Sequence, residues 1–142
     1  MRKITFAVCA LLMAGCAQQP SEPVAEGNAR IEFDTAPMDQ LSAYRLDGEL
    51  VDGIRFPDLT PGSHELQVRF RYEMPGGAGG GGTMGEPQYR TCILGVAYDN
   101  FAAGETYVFS AQRLGWQSVG SLRGSSSEKL ASAQTIRCSP GF

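Results

Sequence analysis

From residue 30 onward, short apolar runs alternate with turn residues, the signature of β-strands separated by tight turns. The clearest run is His64 to Tyr72. Leu66, Val68, Phe70 and Tyr72 fall on one face, and Glu65, Gln67, Arg69 and Arg71 on the other. Period two over this stretch predicts a half-buried antiparallel strand with one wet face. In the run from Tyr89 to Asp99, Cys92, Leu94, Val96 and Tyr98 oppose Thr91, Ile93, Gly95 and Ala97. Both of its faces are fairly apolar, which predicts a central strand. Ile31 and Phe33 open the first strand, and Tyr44 to Leu46 faces Glu49 to Val51 across Asp47-Gly48, a two-residue hairpin signal. Asp52-Gly53 repeats that chemistry before Ile54 and Phe56, and Thr60-Pro61-Gly62-Ser63 is a further tight turn. Thr106 to Gln112 aligns Tyr107, Phe109 and Ala111, and Trp116 to Val119 predicts one more short strand. Ser125 and Glu128 have capping-box spacing, which predicts a short helix over roughly residues 126–133. Gln134 to Cys138 closes the chain as a strand or extended tail. The pattern predicts an all-β chain, a small antiparallel β-sandwich of about 7–8 strands with one short C-terminal helix.

The 142 residues suffice for one domain, and 42% hydrophobic with 19% charged residues is a foldable globular composition. With 18 glycines and 8 prolines, the chain is richer in turn formers than a helical protein. A net charge of −3 carries no nucleic-acid footprint.

Arg2 and Lys3 precede an apolar run from Ile4 to Met13. That run is about half the ~20 residues a membrane-spanning helix needs, so residues 1–15 read as a signal peptide. It ends in Met13-Ala14-Gly15-Cys16, which resembles the bacterial lipobox. The resemblance implies cleavage before Cys16 and acylation of that cysteine, palmitate included. The competing reading is an ordinary secretory signal cut after Gly15 or Ala17. Ala17 stands where lipoproteins kept at the inner membrane typically carry Asp, so the resemblance implies an outer-membrane anchor facing the periplasm or the cell surface. Several acyl chains anchor stably where one does not. Without residues 1–15 the chain carries 10 Lys+Arg against 15 Asp+Glu, leaving no basic tail for anionic lipid. Residues 16–29 lack periodicity and read as the lipidated cysteine and a disordered tether, leaving residues 30–142 as the domain.

Leu46-Asp47-Gly48 followed by Leu59-Thr60-Pro61-Gly62-Ser63-His64-Glu65-Leu66-Gln67-Val68 resembles the PEGA-type pattern of small surface-associated β-sandwich modules. There a D-G hairpin precedes an L-x-P-G-x-H-x-L-x-V turn and strand. Ala103-Gly104-Glu105-Thr106-Tyr107 resembles the turn and strand that often follows in small bacterial lipoproteins. The motif is one of turn geometry, so the resemblance implies a fold and no activity.

Little in the chain points to catalysis. Cys92 and Cys138 remain once Cys9 is cleaved away and Cys16 is acylated. An oxidising compartment favours pairing them, and the loop they would close is worth about 4 kcal/mol in the chain-entropy model. Two buried thiols or a redox pair are the alternatives, although the spacing is far from C-x-x-C. Gly77 to Gly82 matches G-x-G-x-x-G, but Thr83-Met84-Gly85-Glu86-Pro87 follows, where a dinucleotide site needs a helix N-terminus. The segment reads as a loop joining two long strands, with Gly79 and Gly80 as possible partner contacts. His64 is the only histidine, and Ser63 beside it on a strand points the other way. Turn or sheet packing is the reading for His64. Asp47, Glu49, Asp52 and Asp58 cluster in sequence but lack the alternating oxygens of a calcium loop, and turn chemistry accounts for the aspartates. Phe70, Tyr72, Tyr98, Tyr107, Phe109 and Trp116 fall where a core wants them, with a sugar- or peptide-binding platform as the alternative.

The expectation is therefore a lipid-anchored envelope accessory or binding lipoprotein, without enzymatic activity, metal or cofactor. It would meet an envelope protein through Glu65, Arg69 and Arg71, through the glycine-rich loop, or through exposed sheet edges. The alternative is a protein that binds peptidoglycan or another glycan, or, less favoured, cleaves it.

Overall fold

A computed structural model describes residues 23–74 and 87–140. The predicted signal peptide, Cys16, Gly79, Gly80 and the remainder of the glycine-rich segment lie outside these residues. Eight strands follow in order: β1 (Arg30–Asp34), β2 (Gln40–Leu46), β3 (Glu49–Leu50), β4 (Gly62–Glu73), β5 (Tyr89–Phe101), β6 (Thr106–Leu114), β7 (Gln117–Arg123) and β8 (Lys129–Pro140). They form one sheet in the order β1-β6-β7-β8-β5-β4-β2-β3.

The sheet curls into a half-barrel because β8 serves two neighbours. Its first part, Lys129 to Ala133, pairs with β7, and its second, Gln134 to Pro140, pairs with β5. The register shifts between Leu122 and Arg123 in one pairing and between Ile93 and Leu94 in the other. Such irregularities bend a strand and sharpen its twist, which turns one half of the sheet over the other. Leu66, Val68, Phe70 and Tyr72 of β4 and Cys92, Leu94 and Val96 of β5 thereby join Ile31, Tyr107, Phe109, Ala111 and Leu122 in a single core. Gly120 marks how closely the halves approach. A Cβ there would lie 3.1 Å from the Ala133 Cβ and 3.2 Å from the Leu94 Cδ1.

Three expectations are corrected. The first is the antiparallel sandwich: β1 runs parallel to β6, with Arg30 opposite Thr106 and Asp34 opposite Ser110, and the sheet is single and mixed. Period two fixes which face of a strand is buried and leaves its direction open. The second is the helix over residues 126–133, which is absent. Ser127 takes φ 63° and the Gly124 N–H donates to the Glu128 carbonyl at 3.0 Å, so this segment is a turn leading straight into β8. An isolated helix that short is marginal in water, whereas β8 gives its first half a ladder with β7 and its second half one with β5. The third is Trp116, which is 60% exposed beside Gly115 at the β6–β7 turn and takes no part in the core.

Cys92 and Cys138 stand directly opposite each other on β5 and β8, Cα atoms 4.0 Å apart, and are joined as a disulfide. At the other end of the sheet, Arg30 grips Asp58 with two hydrogen bonds, Nε to Oδ1 and Nη2 to Oδ2, both 2.9 Å. The Ala25 N–H adds a third at 2.9 Å, and Ala29 and Leu59 exchange two backbone hydrogen bonds of 2.8 Å. Residues 23–29 of the expected tether are thus fastened to the domain. The Arg30 hydrogen bonds, with that of Ala25, hold the Asp58 carboxyl below its usual range.

Replacing Cys92 and Cys138 together by serine is expected to cost about 4 kcal/mol, read as a lower urea midpoint that reducing agent reproduces in the native chain. Gly120→Val is expected to cost about 1–3 kcal/mol through overpacking between the two halves, measured by the same titration.

Candidate functional site

The outer surface of β2, β4, β5 and β8 collects side chains that the core does not use. Alternation along β4 places Glu65, Gln67, Arg69 and Arg71 there, and the register extends the rows across the sheet. One row reads Ser42, Arg69, Ile93, Arg137 and the next Gln40, Arg71, Thr91, Ser139. Ile93 is only 6% exposed yet lies outside the core cluster. Its neighbours in the row are Arg69 and Arg137, whose aliphatic stems can cover it while their guanidinium groups stay in water.

Two tyrosines organise the arginines. Tyr44 sits at the β2 bulge, where the register shifts between Ala43 and Arg45, and this brings it level with β4 and β8. The Arg69 guanidinium lies 5.1 Å and that of Arg45 5.4 Å from its ring centre, within cation–π range. Arg137 Nη2 donates to its hydroxyl at 3.1 Å. Arg45, with Arg137 beside it, holds the Tyr44 hydroxyl below its usual pKa against a smaller opposing effect of desolvation. Arg71 lies 4.2 Å from the centre of the Tyr89 ring.

Among the described residues, the ion pairs are Arg30 with Asp58 and His64 with Asp47. Among these residues no carboxylate pairs with Arg45, Arg69, Arg71 or Arg137. In a chain with net charge −3, this face gathers cations against the overall balance. Glu65 belongs to the same face, where its Oε1 accepts a 2.9 Å hydrogen bond from Gln67. Guanidinium groups held over aromatic rings are pre-ordered for two-point contact with carboxylate or phosphate.

The structure brings Glu65, Arg69 and Arg71 together as the period-two pattern requires. It adds Tyr44, Arg45, Tyr89 and Arg137, which sequence reasoning missed. Arg137 is 93 residues from Tyr44, and no local signal links an extended C-terminal run to a hairpin near the start of the domain.

His64 has a structural role. Its Nδ1 lies 2.6 Å from Asp47 Oδ2 and its Nε2 2.8 Å from the Thr60 carbonyl, so both ring nitrogens face acceptors. Ser63 instead donates to Asp99 Oδ1 at 2.9 Å, and no serine–histidine relay forms. Desolvation pushes the His64 pKa down, but the Asp47 and Thr60 hydrogen bonds and the Asp47 charge outweigh it and leave it raised above 6.5. Desolvation likewise pushes Asp47 up, and the Glu65 N–H with the His64 hydrogen bond and charge outweigh it and leave it lowered. Of the residues considered for calcium, Asp47 is engaged by His64 and the Glu65 N–H, and Asp58 by Arg30 and the Ala25 N–H. No group of three metal-ligating side chains occurs among the described residues.

Comparison with protein-family models, with curated proteins and with solved structures found no match to this chain.

The His64–Asp47 pair fixes a pH dependence. The imidazolium contributes fully below its ordinary value near 6.5, and the contribution is lost as pH rises through its raised folded value. Asp47 contributes above its ordinary 3.8 and loses that contribution only as pH falls through its lowered value. Asp47→Asn keeps a residue that tolerates the φ of 50° at this turn. In urea titrations across the neutral range, native stability is expected to decline above the ordinary histidine pKa and the variant to show a flatter profile.

Proposed function

We propose that this chain is a lipid-anchored envelope lipoprotein, without enzymatic activity, that serves as an accessory or binding module and meets its partner with the arginine–tyrosine face. The observation that carries the reading is the set of four arginines that pair with no carboxylate among the described residues, ordered on two tyrosines over β2, β4, β5 and β8. Arginine and tyrosine are the residue types enriched at interface hot spots, and an arginine-rich face around the buried Ile93 suits a protein surface rich in carboxylates. The sequence Met13-Ala14-Gly15-Cys16 supports anchoring through Cys16 at the outer membrane. The PEGA-type turn pattern, which falls on β2 and β4, supports a surface-associated module of the same kind.

Crosslinking in cells, followed by extraction in mild detergent, tests the reading. The native chain is expected to recover an envelope protein in near-stoichiometric amount. The double variant Arg69→Glu with Arg137→Glu is expected to lose it at least tenfold while its unfolding midpoint stays close to native. Cys16→Ser is expected to abolish incorporation of labelled palmitate. Recovery of muropeptides alone, with co-sedimentation on purified sacculi, would favour the glycan-binding alternative.

A further inference from the structure

The two halves of β8 are held by different means. In its first part Leu130, Ala131 and Ala133 pack against the core while the backbone pairs with β7. The ladder with β7 ends at Ala133, and the last link to that strand is the Thr135 hydroxyl, which donates to the Ser118 carbonyl at 3.3 Å. Among the described residues, the stretch 136–140 therefore pairs with β5 alone. That ladder skips Ile136, because Leu94 faces Thr135 and Ile93 faces Arg137. From Gln134 to Ser139 every residue is exposed except Cys138, which is partly buried against the core. An edge segment with one ladder and few buried contacts opens locally at small cost. The bond from Cys138 to Cys92 is what clamps this one.

Arg137 depends on that clamp. It directly precedes Cys138, and its Nη2 reaches the Tyr44 hydroxyl at 3.1 Å. Arg45 and Arg69 lie over the same ring but belong to β2 and β4, which the second half of β8 does not hold. Release of residues 136–140 would thus withdraw one guanidinium from the group around Tyr44 and leave the other two in place. The two sulfurs also differ in access. Cys92 is fully buried, whereas Cys138 keeps part of its surface in water. The Tyr72 hydroxyl lies 4.0 Å from the Cys92 sulfur, where it can donate to a thiolate as one forms. An incoming thiolate attacks the sulfur it can reach, and the better-stabilised sulfur leaves.

We propose that the Cys92–Cys138 disulfide is a redox switch for the arginine–tyrosine face, opened by a dithiol reductant that attacks Cys138. One thiolate of the reductant bonds to the Cys138 sulfur. The bond to Cys92 breaks, and its electron pair leaves on the Cys92 sulfur, which takes up a proton. The second thiolate of the reductant then displaces Cys138, which is protonated in turn, and the reductant closes as a disulfide. Residues 136–140 then leave β5 and Arg137 leaves Tyr44, while β1 to β7 stay folded. The switch rests on the reading of this face as the binding surface and gives that surface a bound and a released form.

The test compares the full chain in detergent before and after dithiothreitol, by amide NMR and by titration with an acidic probe, a blocked hexapeptide alternating glutamate and serine. On reduction, the amides of residues 136–139 are expected to move to random-coil positions, while those of Leu66, Phe70 and Leu122 stay dispersed. Probe binding is expected to weaken at least fivefold. Arg137→Gln is expected to bind the probe equally in both redox states, at the affinity of the reduced native chain. Brief exposure to a monothiol, quenched in acid, is expected to leave the mixed disulfide on Cys138. Retention of dispersed shifts at residues 136–139 in the reduced chain, their collapse together with the core amides, or a mixed disulfide on Cys92 would overturn the proposal. Failure of the oxidised chain to bind the probe would strike the face and the switch with it, whereas binding that ignores the redox state would strike the switch alone.

Discussion

The whole arrangement depends on one strand being shared. β8 gives its first five residues to β7 and the rest to β5, so a single backbone carries the hydrogen bonds of both halves of the sheet. Were it to pair with only one of them, the other would end in an open edge and the core would lose one wall. The disulfide sits in the second half of this strand, where it fixes β8 to β5 next to the buried Tyr72, whose hydroxyl lies 4.0 Å from the Cys92 sulfur. The shared strand also decides what the surface can offer. Because β8 lies beside β5, Arg137 reaches Tyr44 across β5 and β4, and four arginines from three strands face the same water.

Much of the fold was legible where burial alone determines the pattern. Leu66, Val68, Phe70 and Tyr72 announce β4 by strict alternation, and Asp47-Gly48 and Pro61-Gly62 announce turns, because these residues accept backbone angles that others resist. The segment after Arg123 was illegible for the opposite reason. Ser125 and Glu128 have capping-box spacing, but the segment's structure is set by β5 and β7, which precede it in the chain and leave no periodic mark on it. Strand direction was equally hidden. Ile31 and Phe33 reveal which face of β1 is buried, whereas the parallel pairing is made with β6, far along the chain, and leaves no mark on the local sequence. At the candidate site, Arg69 and Arg71 were readable as the wet face of one strand. Tyr44, Tyr89 and Arg137 became visible only once the strands were side by side.

A strand shared between two halves also has a schedule. β8 is made after both of its neighbours, and β5 and β7 each await it with one edge uncovered. Cys92 is made 46 residues before its partner, so its thiol has no correct mate during that interval. Contacts between residues far apart in the chain close slowly, and in this topology the slowest of them are also the ones that complete the core. The sheet therefore closes only once β8 is available, and until then β5 and β7 each present an open edge to any other strand nearby.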